Sequence, residues 1–214
     1  MRAVLLCLCL FALAGCQVVG GAIENYKRDS THEVKAEYRG LEGKTFAVIV
    51  TADRAIQSDH PTLVDYLTEK VTERLSAGTI TPFARGYVPA ADVLKYVYDN
   101  PAWTTRPMTE VARGLGGVER IVYVELTEYQ LREPGNAYEW DGVASGTVAV
   151  LEMDGPTPDQ YAFQKSVAVR FPDGKGYGPD QMSAATVMTE LARRLVDRAT
   201  WTLYDHQEPY YPTY

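Results

Sequence analysis

Few side chains in this sequence combine a type and a spacing that could support metal binding or catalysis. None of its three histidines, His32, His60 and His206, has a second histidine or a carboxylate at a metal-ligand spacing such as i+4 on one helix. Residues 142–146 approach the Gly-x-Ser-x-Gly motif of serine hydrolases, but they start a predicted strand without the required turn. The glycines of residues 171–180 match neither a phosphate loop nor an EF-hand. We therefore predict no metal, no cofactor and no catalytic residue.

Acidic residues are the remaining catalytic candidates. Glu125 and Glu128 lie on or near a predicted strand, and Glu133, Glu139 and Asp141 follow in the next loop. A glycosidase needs two carboxylates roughly 5–10 Å apart in a cleft, and spacing along the chain does not establish that geometry. Solvated loop charges are the simpler interpretation. We predict that the protein is not an enzyme, and a membrane-tethered hydrolase acting on the cell wall stays as an alternative.

Cysteine is the reactive residue whose placement is informative. Cys7, Cys9 and Cys16 are the three cysteines of the chain, and all lie within its first 16 residues. The rest of the chain therefore forms neither a disulfide framework nor a thiolate metal site. Arg2 is followed by an apolar run of about 12 residues, which is too short to span a bilayer as a helix. A basic start, an apolar run and small residues before a cleavage site indicate a secretory signal.

The end of this signal, Leu13-Ala14-Gly15-Cys16, resembles the lipobox of bacterial lipoproteins. The alternatives are an ordinary signal peptide that ends in cysteine, or a buried amino-terminal helix. The resemblance implies that residues 1–15 are removed and that the Cys16 sulfur carries a diacylglyceryl group. Palmitate-type acyl chains would then hold the protein stably in a membrane, because one acyl chain gives only marginal membrane binding whereas two or more anchor a protein stably. In Gram-negative members an Asp at the second mature position retains the protein in the inner membrane. Gln17 therefore favours the periplasmic face of the outer membrane.

Composition and charge divide the rest of the chain. The net charge of −7 argues against nucleic acid as the main partner. Residues 16–43 contain few large apolar side chains and are predicted to be a lipidated tether with one short strand. Residues 44–204 form the single predicted domain. Residues 205–214 are a Tyr/Pro-rich tail that we expect to be extended and loosely held.

The apolar patterns of residues 44–204 predict a mixed α/β, or α+β, fold. A continuous apolar run at residues 46–50 indicates a strand buried on both faces. Apolar residues repeating at i+4 indicate two long helices, one that starts at residues 58–61 and ends near Gly78, and one at 183–204. The turn-rich residues 154–159 separate two predicted strands and indicate an antiparallel hairpin.

The full prediction is the order β-α-β-α-α-β-β-β-α. It has a mixed sheet of about five strands, an antiparallel carboxyl-terminal meander and about four flanking helices. The shorter elements are a strand at 79–83, helices at 90–99 and 108–115, and a strand at 119–131. The first two strands flank a helix, so they should be parallel through a right-handed crossover.

This order, together with residues 111–124, resembles a group of envelope proteins. In that group a helix, a Leu-Gly step and a strand recur, as Leu115-Gly116 does here. The group includes the curli secretion channel protein, lipoprotein activators of penicillin-binding proteins and the amino-terminal domain of TolB. The resemblance implies partner binding without catalytic residues. Long segments that could insert as transmembrane hairpins are missing, which puts a pore in doubt.

Aromatic residues are the predicted contact groups. Tyrosine accounts for 15 of the 214 residues, and tyrosine and tryptophan are enriched at protein interfaces. We predict partner binding through Tyr129, Tyr138, Trp140, Tyr210 and Tyr211; the alternative is that many of them line the core. The predicted function is a membrane-anchored, non-catalytic scaffold or partner-binding lipoprotein. We expect the partner to be an envelope protein. The alternative function is that of a subunit in an oligomeric lipoprotein complex for export or for the envelope.

Overall fold

The computed structural model describes residues 30–77 and 84–210, which form two compact units. The larger unit is Ala36–Tyr204, and the smaller contains residues 30–35 and 205–210. The predicted signal peptide, Cys16, Tyr211 and the strand predicted at 79–83 lie outside the described residues. The strands are β1 (Thr31–Val34), β2 (Thr45–Ala52), β3 (Gly86–Tyr87), β4 (Arg120–Gln130), β5 (Gly142–Glu152), β6 (Tyr161–Phe171) and β7 (His206–Pro209).

Strands β2 to β6 make one five-stranded sheet in the order β3-β2-β4-β5-β6. Strand β2 is parallel to both β3 and β4, whereas β4, β5 and β6 are antiparallel to one another. The helices are α1 (Arg54–Asp59), α2 (Leu63–Ser76), α3 (Ala90–Asp99), α4 (Met108–Gly114) and α5 (Ala184–Trp201), with a 3₁₀ turn at Trp103–Thr105. The predicted mixed sheet with an antiparallel meander is therefore confirmed.

Two helical layers explain why the apolar run of β2 has no polar face. Val48 and Val50 join a core that includes Leu67 of α2 and Leu191 of α5. Ile49, on the opposite face, packs in a second core whose residues include Val93 of α3, Trp103 and Val111 of α4. Consecutive residues of β2 are thus buried on alternate sides, as expected for a central strand between helices.

The start of the first helical region differs from the prediction. Residues 58–61 were expected to open one long helix, but α1 already begins at Arg54. The Asp53 side chain caps α1 by accepting a 2.8 Å hydrogen bond from the Ile56 amide. Pro61 follows α1 and fixes a break before α2 begins at Leu63. In the described residues, the strand between α2 and α3 is β3, which hydrogen-bonds beside β2.

The compact unit begins earlier than residue 44. Leu41 is fully buried in the core that contains α2 and α5. The buried Arg120 guanidinium donates a 2.9 Å hydrogen bond to the Gly40 carbonyl and pairs with Asp154. Tyr38 donates a 2.7 Å hydrogen bond to Glu152, and burial raises the pKa of the Tyr38 hydroxyl. Residues 36–43 are therefore packed domain rather than tether.

The smaller unit corrects the expectation of a loosely held tail. Strand β7 pairs antiparallel with β1, with Thr31 opposite Pro209 and Val34 opposite His206. Lys35 forms a 3.1 Å ion pair with Asp205. Sequence patterns missed this pairing because the two strands lie at opposite ends of the chain, and each is only four residues long.

Gly146, the last residue of the segment that approaches a hydrolase motif, has a structural role. It lies in β5 opposite Leu126, where β4 has a bulge between Leu126 and Glu128. A Cβ atom at Gly146 would lie only 2.4 Å from the Glu125 carbonyl oxygen. This glycine is therefore required by the close approach of two backbones.

A buried guanidinium fixes the segment that follows β6. Arg194 of α5 is 6% exposed in its side chain and binds both oxygens of Asp173. It also donates to Glu190 at 3.0 Å and to the Arg170 carbonyl at 2.9 Å. Arg193 donates to both oxygens of Glu190, and these bonds from Arg193, followed by those from Arg194, lower the pKa of Glu190 to about 2. Charge-assisted bonds of this kind stabilise the folded state.

We expect Glu190→Gln to lower the free energy of unfolding at pH 7 by about 1–2 kcal/mol. The folded pKa of Glu190 is depressed, so its contribution is complete above the unfolded value of 4.5 and is lost as the pH falls towards about 2. Urea unfolding at pH 7 and at pH 2.5 measures this difference. Glu69→Gln on the exposed side of α2 is the control and should change little. An equal loss for Glu190→Gln at both pH values would contradict the assignment.

Candidate interaction surface

The helices of the larger unit leave part of the sheet uncovered. Helices α2 and α5 pack on the face formed by residues such as Val148, Val167 and Val169. The second core, on the other face, reaches β4 and β5 only near Ile121 and Leu151. Apart from these two residues and the buried Ala149, the side chains of β4, β5 and β6 on that face are exposed or half-buried. We call this surface the open face; its members are Glu125, Thr127, Val143, Ser145, Thr147, Gln164, Ser166, Ala168 and Arg170.

Strand register arranges the open face in rows of small and polar side chains. One row places Glu125 of β4 opposite Thr147 of β5, which is opposite Ser166 of β6. The next row places Ser145 opposite Ala168. Because neighbouring strands are about 4.8 Å apart and none of these side chains is bulky, the surface is broad and flat.

Hydrogen bonds order the side chains around the β4 bulge. The Thr127 and Ser145 hydroxyl oxygens are 3.2 Å apart, and either hydroxyl can donate the hydrogen bond between them. Glu128 accepts a 2.9 Å hydrogen bond from the Gln130 amide and a long one, 3.4 Å, from Ser145. The carboxylates Glu125 and Glu128 therefore belong to a flat, hydrogen-bonded surface rather than to a cleft.

A row of aromatic rings borders the open face where the helical cover ends. Trp103 meets Tyr123 edge-on at 6.4 Å between ring centroids, and Tyr123 stacks on Tyr161 at 6.3 Å. The Tyr123 hydroxyl is 2.9 Å from the Thr51 hydroxyl. Tyr161 is 46% exposed, and burial, followed by Tyr123 and Glu125, raises its pKa. Sequence reasoning missed Tyr123 and Tyr161 as surface residues; the alternation along β4, combined with the hairpin register, is the signal that could have found them.

Two of the predicted contact residues are instead core residues. Tyr129 and Trp140 are each 6% exposed. The Tyr129 hydroxyl donates a 3.0 Å hydrogen bond to the Met188 carbonyl, and burial raises the pKa of this hydroxyl. The Trp140 indole donates at 2.8 Å to the Met182 carbonyl, and the Arg132 guanidinium lies 3.9 Å from its ring centroid. Both rings are therefore used within the fold, which corrects the prediction that they bind a partner.

The other predicted contact residues are Tyr138, Tyr210 and Tyr211. Tyr138 is 84% exposed in the loop between β4 and β5. Tyr210 belongs to the smaller unit, where its ring lies 4.7 Å from that of His32. Partner binding by Tyr138 and Tyr210 stays a prediction. The same holds for Tyr211 and for lipidation of Cys16, which lie outside the described residues.

Three clefts of the larger unit can be compared with the catalytic alternatives. The first, about 160 Å³, is lined by His60, Tyr66, Tyr129 and other residues, with no carboxylate among its lining. The second, about 270 Å³, contains Glu73 as its acidic residue, and the third, about 670 Å³, contains Asp92. None of these three clefts therefore contains the two carboxylates that a glycosidase uses.

Among residues 30–77 and 84–210, no group of three or more His, Cys, Asp or Glu side chains is placed to hold a metal ion. The helices of the same ranges are too short or too polar to cross a membrane.

Comparison with known proteins gives structural matches only. No protein-family model and no curated protein matches the chain. Lipoprotein GNA1162 from Neisseria meningitidis is similar at 12% identity and a TM-score of 0.47, over 72% of this chain and 96% of that one. A point-substituted PelC dodecamer from Paraburkholderia phytofirmans is similar at 12% identity and a TM-score of 0.47, over 82% of this chain and 97% of that one. A putative lipoprotein from Caulobacter crescentus is similar at 14% identity and a TM-score of 0.25, over 53% of this chain and 82% of that one. The resemblance to the curli, penicillin-binding-protein-activator and TolB group stays a prediction.

Two neighbouring aromatic residues test the division between core and surface. We expect Trp140→Ala to lower the free energy of unfolding by about 3–5 kcal/mol, because it empties a buried site and removes the hydrogen bond to Met182. Tyr138→Ala, only two residues away, should change it by less than about 0.5 kcal/mol, because the Tyr138 ring is in solvent. Chemical denaturation of both variants measures the contrast. Similar losses in the two variants would contradict the burial described here.

Proposed function

We propose that the protein is a non-catalytic lipoprotein of the cell envelope whose α/β domain binds a partner protein through the open face. The lipobox at residues 13–16 supports the anchor, and Gln17 supports the periplasmic face of the outer membrane in a Gram-negative cell. The observation that carries the binding role is the uncovered part of the sheet over β4, β5 and β6. A role as a scaffold or assembly domain follows from an anchored domain that presents one broad surface.

The uneven helical cover supports binding because a sheet normally packs a layer on each apolar face. On the open face, exposed Thr127 and Ser166 replace the buried residues that such a layer would need. These short side chains lose little conformational entropy on binding. The exposed ring of Tyr161 adds a side chain of a type enriched in interfaces.

The size of the open face limits how a partner binds. Three strands about 4.8 Å apart, each contributing about six or seven residues at about 3.3 Å per residue, give an area of roughly 300 Å². A standard interface buries about 800 Å² on each partner. A stable complex would therefore extend beyond the open face, onto the aromatic row ending at Tyr161 or across the outer edge of β6.

The anchor is tested by Cys16→Ala. We expect this variant to lose incorporation of labelled palmitate and to move from the membrane fraction to the soluble or unprocessed fraction, because the acylated sulfur is removed. The matched control is Cys9→Ala, which changes a cysteine inside the signal and should leave labelling and fractionation unchanged. A Cys16→Ala protein that is still labelled and still membrane-bound would refute the lipobox interpretation.

The open face is tested by placing a photo-crosslinking amino acid at Thr127 in intact cells. We expect a discrete adduct with an envelope protein, because the Thr127 side chain is exposed on the proposed surface. The same probe at Lys95, whose side chain is 73% exposed on α3, is the control and should not give that adduct. Mass spectrometry identifies the partner. Identical adducts from both positions, or none from Thr127, would count against the proposal.

A further inference from the structure

The two edges of the main sheet differ greatly in length. The edge at β3 is only two residues long, and short edge strands are one way in which proteins avoid unwanted pairing. The opposite edge, β6, has eleven residues. Within the described chain no strand pairs with its outer side. A long edge of unpaired backbone donors and acceptors is a template for another strand.

Residues 163–171 form an uninterrupted segment of this edge. A register irregularity at Val150 and Leu151 precedes it, and Pro172 follows it. The segment contains neither glycine nor proline. Its two charged residues are already paired, Lys165 with Glu37 and Arg170 with Asp141 at 3.6 Å. The free charges that commonly protect edge strands are therefore neutralised here.

The same segment is complementary to itself when two copies run antiparallel. A twofold axis through Val167 places Phe163 opposite Phe171 of the second copy. It also places Gln164 opposite Arg170 and Ser166 opposite Ala168, and it puts no two like charges opposite each other. Aromatic pairs and polar pairs in directly opposed positions stabilise antiparallel strands.

We infer that the outer edge of β6 is a self-association site at which a second copy of this chain adds its own β6 antiparallel, with the twofold axis at Val167. The self-complementary sequence favours a second copy over an unrelated strand, because a twofold interface uses the same residues on both sides. The two sheets become one sheet of ten strands. The two open faces then lie side by side, which doubles the surface offered to a partner. The inference depends neither on the lipid anchor nor on the partner of the open face.

Disulfide crosslinking tests the register, because the three native cysteines lie within residues 1–16. The full-length chain, with Cys7, Cys9 and Cys16 replaced by alanine, receives either Ser166→Cys or Ala168→Cys. We expect a mixture of the two variants to form a disulfide-linked dimer faster than either variant alone, since positions 166 and 168 are directly opposed. Each variant alone places its thiols on a diagonal about 7–8 Å apart.

Thr127→Cys is the matched control for the crosslinking. It is exposed on the same open face but lies on β4, two strands from the edge, so its thiols stay far apart in the inferred dimer. A mixed sample that crosslinks no faster than Thr127→Cys overturns the inference. Rapid crosslinking of Thr127→Cys itself also overturns it, because that result would indicate face-to-face association.

Sedimentation of the full-length chain in mild detergent provides a second measurement. We expect a monomer–dimer equilibrium that the double variant Ser166→Lys/Ala168→Lys weakens at least about tenfold, because it places lysines directly opposite each other. The double variant Thr127→Lys/Thr147→Lys adds the same charge to the open face away from the edge and should retain the wild-type dissociation constant. Matched circular dichroism spectra exclude unfolding. A wild-type chain that remains monomeric at every concentration, or a β6 variant that dimerises equally well, overturns the inference.

Discussion

The burial of β2 on both faces is the constraint on which the rest of this structure depends. Five consecutive apolar residues, 46–50, cannot be placed in a sheet that has one wet face. One helical layer, α2 and α5, extends across the whole sheet, whereas the other, α3 and α4, is short and lies over the parallel half. The antiparallel half consequently has one covered face and one uncovered face. The open face thus results from the short helical layer that α3 and α4 form over the sheet.

Much of this architecture is predictable because its signals are local. The apolar run of β2, the i+4 repeats of α2 and α5, and the turn between β5 and β6 each lie within about twenty residues of sequence. The mixed sheet and its antiparallel meander follow from their order. Pairing between distant segments is different. No local pattern links β1 to β7, and the two strands are joined only in the folded chain.

The candidate surface was less predictable than the fold for a related reason. Tyrosine and tryptophan suit both cores and interfaces, so residue type alone does not separate buried Trp140 from exposed Tyr138. The two residues differ in their partners within the fold: the Trp140 indole finds a buried acceptor in the Met182 carbonyl. The open face was missed because its threonines, serines and alanines are inconspicuous in sequence. They form one surface only through strand register.

The parallel pairing of β2 with β4 has a consequence for the order in which the chain folds. Thr45 and Glu119, which hydrogen-bond to each other where these strands begin, are 74 residues apart, and the α2 and α3 segments lie between them. Closing so long a loop is slow compared with forming the β5–β6 hairpin, because contacts of high sequence separation set the folding rate. The hairpin therefore forms early, before α5 has been added to cover Val167 and Val169. The folding chain is therefore expected to pass through a stage in which the β5–β6 hairpin is exposed on both faces and along its outer edge.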